Sequence, residues 1–146
     1  MLTIDTNVWV AGTLEEEPSH DVSRRFLKWV QEREPILHLP TLLVAELAGA
    51  IIRRTGDPLL AGKSRTMLER MPRSHFHELS FDAATQSASL AVQLRLRGPD
   101  AVYAATAFAT NSVLITMDKE LMQRASTVIS AMSPAEWLDA NSNQSE

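Results

Sequence analysis

Apolar residues along the chain switch between two periods, and the switches mark the elements. LTI, residues 2–4, reads as a short buried strand that runs into Asp5, Thr6 and Asn7. Val22, Phe26, Trp29 and Val30 then recur at helical spacing across residues 19–33, and Pro35 stops that helix. ILHL, residues 36–39, is a second strand. Pro40 takes the first position of a helix that continues over residues 41–54. Gly56-Asp57-Pro58 is a turn, and Leu60, Met67, Leu68 and Met71 form the inner face of a third helix that ends at Pro72. HFHEL, residues 75–79, alternates as a strand. Asp82 caps a long helix reaching residue 97, with Ala84, Ala88, Ala91 and Leu94 facing inward. Gly98-Pro99 ends that helix and opens another, DAVYAATAFATN. SVLIT, residues 112–116, is a fourth strand and a short helix follows Asp118. TVISA, residues 127–131, is a last strand, and residues 134–138 make a last helical turn.

Strands alternating with helices predict an α/β fold, a three-layer α/β/α sandwich around a central, mostly parallel five-stranded sheet. Ligands in such sheets bind beyond the carboxyl ends of the strands, where strand order reverses. The 146 residues fit one domain over 1–138, followed by a polar tail over 139–146. No run approaches the ~18 apolar residues of a membrane helix, and the N-terminus does not resemble a signal peptide. Cysteine is absent, which removes disulfides, thiolate metal sites and cysteine nucleophiles. A cytoplasmic protein with no membrane partner is the expectation.

The net charge of −4 argues mildly against nucleic-acid binding, but it is uneven. Residues 53–97 carry 8 Lys/Arg against 4 Asp/Glu, while residues 1–52 carry 4 against 8 and residues 98–146 carry 2 against 6. The basic middle is either a solvated helical face or a surface for a polyanion.

Four acids change the picture. Asp5 ends the first strand and Asp118 follows the fourth, so both belong to one edge of the sheet. Asp100 opens an alanine-rich helix. Glu46 stands among Leu42, Leu43, Gly49 and Ala50, an apolar helical face on which a charge needs a partner. Each has a plain alternative. Asp100 favours a helix N-terminus, Asp118 can be an N-cap, Asp5 can close an Asx-turn with Asn7, and Glu46 can pair with a distant arginine. Brought together, such carboxylates repel by about 4 kcal/mol per pair at 4 Å and an effective dielectric of 20. A divalent cation removes that cost, and a set of hard oxygen donors favours magnesium or manganese. No phosphate-binding loop of the G-x-x-x-x-G-K-[ST] type is present.

Four blocks then resemble the PIN-domain ribonucleases, most closely the VapC-type toxins of bacterial toxin–antitoxin pairs. They are IDTNVW at 4–9, PTLLVAEL at 40–47, GPDAVYAATA at 98–107 and LITMDKEL at 114–121, in the family's order. The resemblance implies a PIN-like fold in which Asp5, Glu46, Asp100 and Asp118 are catalytic and hold one or two Mg²⁺ or Mn²⁺ ions. Asn7 and Thr116 support them. It implies RNA phosphodiester hydrolysis leaving a 3′-hydroxyl and a 5′-phosphate, a cognate antitoxin and a homodimer. Ala45 departs from the Ser or Thr that many relatives carry before the glutamate, which removes a hydroxyl but no ligand. Arg53, Arg54, Lys63, Arg65, Arg70 and Arg73 become candidates for RNA backbone contact.

Competing readings are a PIN nuclease of RNA processing that is not a toxin, a PIN-like binding module that does not cleave, and a phospho-acceptor receiver domain. The receiver shares the acidic pocket but needs paired acids after strand one and an acceptor Asp after strand three. His75 and His77 share a strand face and suit an exposed edge better than a metal, and His38 suits the core or a supporting position. Trp9, Phe26 and Trp29 suit the core or a dimer contact better than base stacking, and Glu15, Glu16 and Glu17 form a loop open to a basic partner segment.

Overall fold

A computed structural model describes residues 1–142. Its five strands are β1 (Leu2–Ile4), β2 (Leu37–Pro40), β3 (Ser74–His77), β4 (Val113–Ile115) and β5 (Ala131–Met132). Its helices are α1 (Thr6–Thr13), α2 (His20–Arg33), α3 (Leu42–Thr55), α4 (Pro58–Glu69), α5 (Phe81–Leu94), α6 (Gly98–Thr110), α7 (Lys119–Ala125) and α8 (Pro134–Asn141). All four strand pairings are parallel, in the order β3-β2-β1-β4-β5. The chain first steps outward from β1 to β2 to β3, then crosses back to β4 and on to β5. Right-handed crossovers therefore put α1–α4 on one face and α5–α7 on the other. The direction reverses between β1 and β4, which are neighbours. A receiver domain would need the order 2-1-3-4-5, so the topology excludes that reading.

Leu2, Ile4, Leu37, Leu39, Leu114 and Ile115 are fully buried, as expected of strands covered on both faces. Trp9 and Phe26 lie wholly inside, and Trp29 packs edge-on against Trp137 at 5.5 Å. α1 and α2 meet closely at Gly12, where a Cβ would come within 2.5 Å of Leu27 Cδ1.

Several elements differ from expectation. The segment after Asp5 is a helix, α1, whose apolar run VWVA suits a strand equally well. Pro40 is the last residue of β2, opposite His77, and Thr41 N–H makes the next bond to the His77 carbonyl at 2.9 Å. Ser80, not Asp82, caps α5, because its backbone is extended and its hydroxyl accepts from Ala83 N–H. α5 stops at Leu94 because Arg95 turns left-handed at φ 55°. Residues 127–129 fold back on α7 through bonds to the Ala125 carbonyl, so β5 starts only at Ala131. α8 runs to Asn141, into the expected tail, and residues 143–146 lie outside the described residues.

Ala84 and Ala88 are exposed rather than inward. Alanine carries little preference for burial, and the phase of α5 is set by Leu90, Ala91, Leu94 and a buried Ser87 whose hydroxyl is satisfied by the Ala83 carbonyl. Ala84 and Ala88 instead share a stripe with Phe81 and Val92, which are 86% and 82% exposed.

Candidate functional site

The reversal between β1 and β4 creates the site. Asp5 leaves β1 and Thr116 leaves β4 side by side, and the Thr116 hydroxyl donates to Asp5 Oδ2 at 2.7 Å. The same hydroxyl oxygen accepts from Asp118 N–H at 3.0 Å and from Asn7 Nδ2 at 3.2 Å. Asn7 Oδ1 in turn accepts from Met117 N–H at 3.3 Å. Asn7 therefore ties the end of β4 to the start of α1. The Asx-turn alternative for Asp5 does not form, since its carboxylate makes no cap bond to α1.

Asp118 does two jobs. Its Oδ1 caps α7, accepting from Glu120 and Leu121 N–H at 2.9 and 3.0 Å. Its Oδ2 accepts from Arg97 at 3.2 Å. The capping alternative is therefore realised through one oxygen, and the other oxygen faces Arg97. Asp100 sits in the first turn of α6 and also accepts from Arg97, at 2.8 Å. Arg97 thus bridges two of the four candidate acids. In the sequence Arg97 carries no sign of this role, because it falls at the end of the preceding predicted helix.

Glu46 is half-buried on α3 and its partners are hydroxyls, not an arginine. Thr6 and Tyr103 both donate to Glu46 Oε2 at 2.7 Å, and the two hydroxyls also touch each other. Burial, then the neighbouring Glu46 and Asp5, hold the Tyr103 phenol protonated far above its ordinary range, so it remains a donor. Tyr103 is a site residue the sequence could have shown: it lies one helical turn after Asp100, and a buried tyrosine hydroxyl needs a partner.

Asp5 is 6% exposed, and burial, reinforced by Asp100 and Glu46, raises its pKa from 3.8 to about 6. The Thr116 hydrogen bond pulls it back down. Asp100 and Glu46, of the three other acids, therefore oppose its ionisation. Among the described residues, no three His, Cys, Asp or Glu side chains already form a metal-holding group. The donor set nevertheless fits magnesium or manganese. All the donors are carboxylate or hydroxyl oxygens. Magnesium keeps several waters and needs only one or two direct carboxylates, reaching the others through water.

The expected RNA contacts are dispersed. Arg54 pairs with Glu17, Arg65 with Glu69 at 3.5 Å, and Arg73 donates to the Glu34 carbonyl. Arg73 also accepts from Leu37 N–H at the amino end of β2, the edge opposite the acids. Arg53 ends α3, and Lys63 and Arg70 lie on or just after α4. The cleft holding Asp100 and Asp118 is lined instead by Arg95, Arg97 and Arg124. His38 joins His75 and His77 at the β2–β3 edge, with its Nδ1 2.9 Å from His77 Nε2. Burial and the two neighbouring imidazoles lower the His38 pKa.

The PIN-domain family model matches residues 2–126, and the chain belongs to the PIN-domain family. Solved structures share its fold at low identity. VapC20 of Mycobacterium tuberculosis, a sarcin–ricin loop cleaving toxin, is 15% identical with a TM-score of 0.71, covering 84% of this chain and 94% of that one. VapBC2 of Rickettsia felis, bound to a fragment of its promoter DNA, is 14% identical at 0.68, covering 90% and 97%. A toxin–antitoxin complex from Klebsiella pneumoniae is 20% identical at 0.65, covering 92% and 98%. A comparison with curated proteins gave no match.

Proposed function

We propose that the chain is a Mg²⁺- or Mn²⁺-dependent endoribonuclease, the toxin of a VapBC-type pair. The observation that carries this reading is the meeting of acids at the β1–β4 reversal of a PIN-family chain, where Thr116 and Asn7 join Asp5 to the Asp118 backbone, Arg97 joins Asp118 to Asp100, and Asp100 and Glu46 both act on the Asp5 carboxyl. Fold likeness to the VapC and VapBC proteins supports the toxin assignment. The bound cation would supply a hydroxide at neutral pH and a clamp on the scissile phosphate. Asp5, Asp100 and Asp118 would hold it directly or through water, and Glu46 would complete the cage or orient the attacking water. Thr116 fixes the Asp5 carboxylate and the Asp118 backbone, and Asn7 holds Thr116 in place. Tyr103 and Thr6 fix Glu46 by donating to one of its oxygens, leaving Oε1 for water or metal.

RNA incubated with the purified protein is expected to be cut with Mg²⁺, leaving 3′-hydroxyl and 5′-phosphate ends, and to stay intact with EDTA. Cleavage that survives EDTA, or 2′,3′-cyclic phosphate ends, would reject the mechanism. Phosphate contacts by arginines, whether around the cleft or in the basic middle, predict RNA affinity falling by orders of magnitude between 50 and 200 mM salt. A flat salt dependence would remove that surface from the reading.

The partners in this reading are a cognate antitoxin and a second copy of the chain. The Phe81–Ala84–Ala88–Val92 stripe, with Phe108 exposed on the adjoining α6, supports the homodimer. Replacing Phe81 and Val92 by glutamate should convert a dimer into a monomer by sedimentation without unfolding the chain. An unchanged dimer would place the interface elsewhere.

A further inference from the structure

We infer that Arg97 is a built-in counter-cation that competes with the metal for Asp100 and Asp118, so that metal binding proceeds by ejecting it. The inference rests on the metal-site reading above and adds a residue that this reading does not contain. Arg97 donates Nε to Asp100 Oδ2 at 2.8 Å and a terminal nitrogen to Asp118 Oδ2 at 3.2 Å. Asp118 Oδ1 is saturated by two backbone N–H groups of α7, which leaves Oδ2 as its one oxygen with spare acceptor capacity. A cation bound directly to Asp118 with the α7 cap intact would share Oδ2 with Arg97, and two cations on one oxygen repel each other.

The arrangement suits exchange rather than permanent structure. Arg97 is 76% exposed, and exposed ion pairs are individually weak. It precedes α6 as the N-cap residue but makes no side-chain cap bond, so its release does not unmake a helix. A guanidinium carries one charge against four carboxylates, while a divalent ion carries two. The exchange therefore offsets more of the repulsion among the acids. With the metal withdrawn, Arg97 returns and keeps Asp100 and Asp118 from facing each other unpaired.

Two measurements on the purified chain test this without relying on cleavage. In the first, Mn²⁺ binding is followed by electron paramagnetic resonance of the free ion. Arg97→Gln should bind Mn²⁺ about three- to tenfold more tightly than wild type, the gain from no longer breaking two exposed ion pairs. Arg97→Lys keeps the charge without the two-pronged bridge and should fall between them. Equal affinity in wild type and Arg97→Gln would overturn the inference while leaving the metal site standing. No Mn²⁺ binding by either protein would reject the metal site itself. In the second, the Arg97 Nε–H resonance is followed during a Mg²⁺ titration without RNA. It should move to the position of a free arginine as the site fills. A resonance that stays put at saturating Mg²⁺ would show that the ion does not displace Arg97.

Discussion

Asp5→Asn is expected to abolish metal-dependent RNA cleavage, by about a thousandfold or more, and at the same time to make the metal-free protein more stable at pH 8. On the proposed metal-site reading, the activity loss follows from removing a buried carboxylate that would help hold the cation. The stability gain has a separate cause. Asp5 holds its proton more tightly in the folded chain, with a pKa of about 6, than in the unfolded chain, where it is near 3.8. Between those values the folded state binds the extra proton, so wild-type stability falls as pH rises through the window. Above it the whole cost is present, about 3 kcal/mol at 1.36 kcal/mol per pKa unit. Asparagine keeps the shape and carries no charge to bury. The two proteins should melt together near pH 4 and diverge by several degrees at pH 8 in EDTA. An Asp5→Asn protein that cleaves as wild type would sink the metal-site reading. One that melts below wild type at pH 8 would mean that the Thr116 bond outweighs the burial of the charge.

Thr116→Val should cost about 2–4 kcal/mol of stability and about 10- to 100-fold of cleavage. The substitution preserves shape in a fully buried position. It leaves the Asp5 carboxylate without its donor, and Asp118 N–H and Asn7 Nδ2 without their acceptor. Three polar groups lose a partner through one atom. Because the Thr116 bond holds the Asp5 pKa down, the variant should also lose more stability at pH 8 than at pH 5. Thr116→Ser keeps the hydroxyl and should recover most of both effects. A Val variant as stable and active as wild type would make the threonine a bystander.

The parts of the molecule legible in the sequence are those where one physical signal dominates. α2 reads out because its apolar positions repeat at one period and a proline follows. The acids read out because a carboxylate at a strand end or on an apolar helical face is costly unless it has a partner. α1 was hidden because four apolar residues in a row carry no period. The inward face of α5 was misread because alanine is silent about burial, and the silent positions lie on a stripe shared with Phe81 and Val92. Arg97 and Tyr103 were hidden for another reason. Arg97 reaches Asp118 across 21 residues and Tyr103 reaches Glu46 across 57, and only the folded sheet brings either pair into contact. The basic stretch in sequence is divided among α3, α4 and the entry to β3, and several of its members pair with nearby acids or carbonyls.

Asp118 divides its two oxygens between a helix and a cation, and this sets which residues position 118 can accept. Glutamate keeps the charge but is too long to cap α7. Asparagine, serine and threonine cap but bring no charge, and alanine does neither. Of the twenty residues, aspartate alone meets both demands. Position 46, whose glutamate answers to two hydroxyls and no backbone, carries no such double constraint. An alanine scan would therefore mislead at 118, reporting the loss of a helix cap and of a charge as one number, while Asp118→Asn isolates the charge.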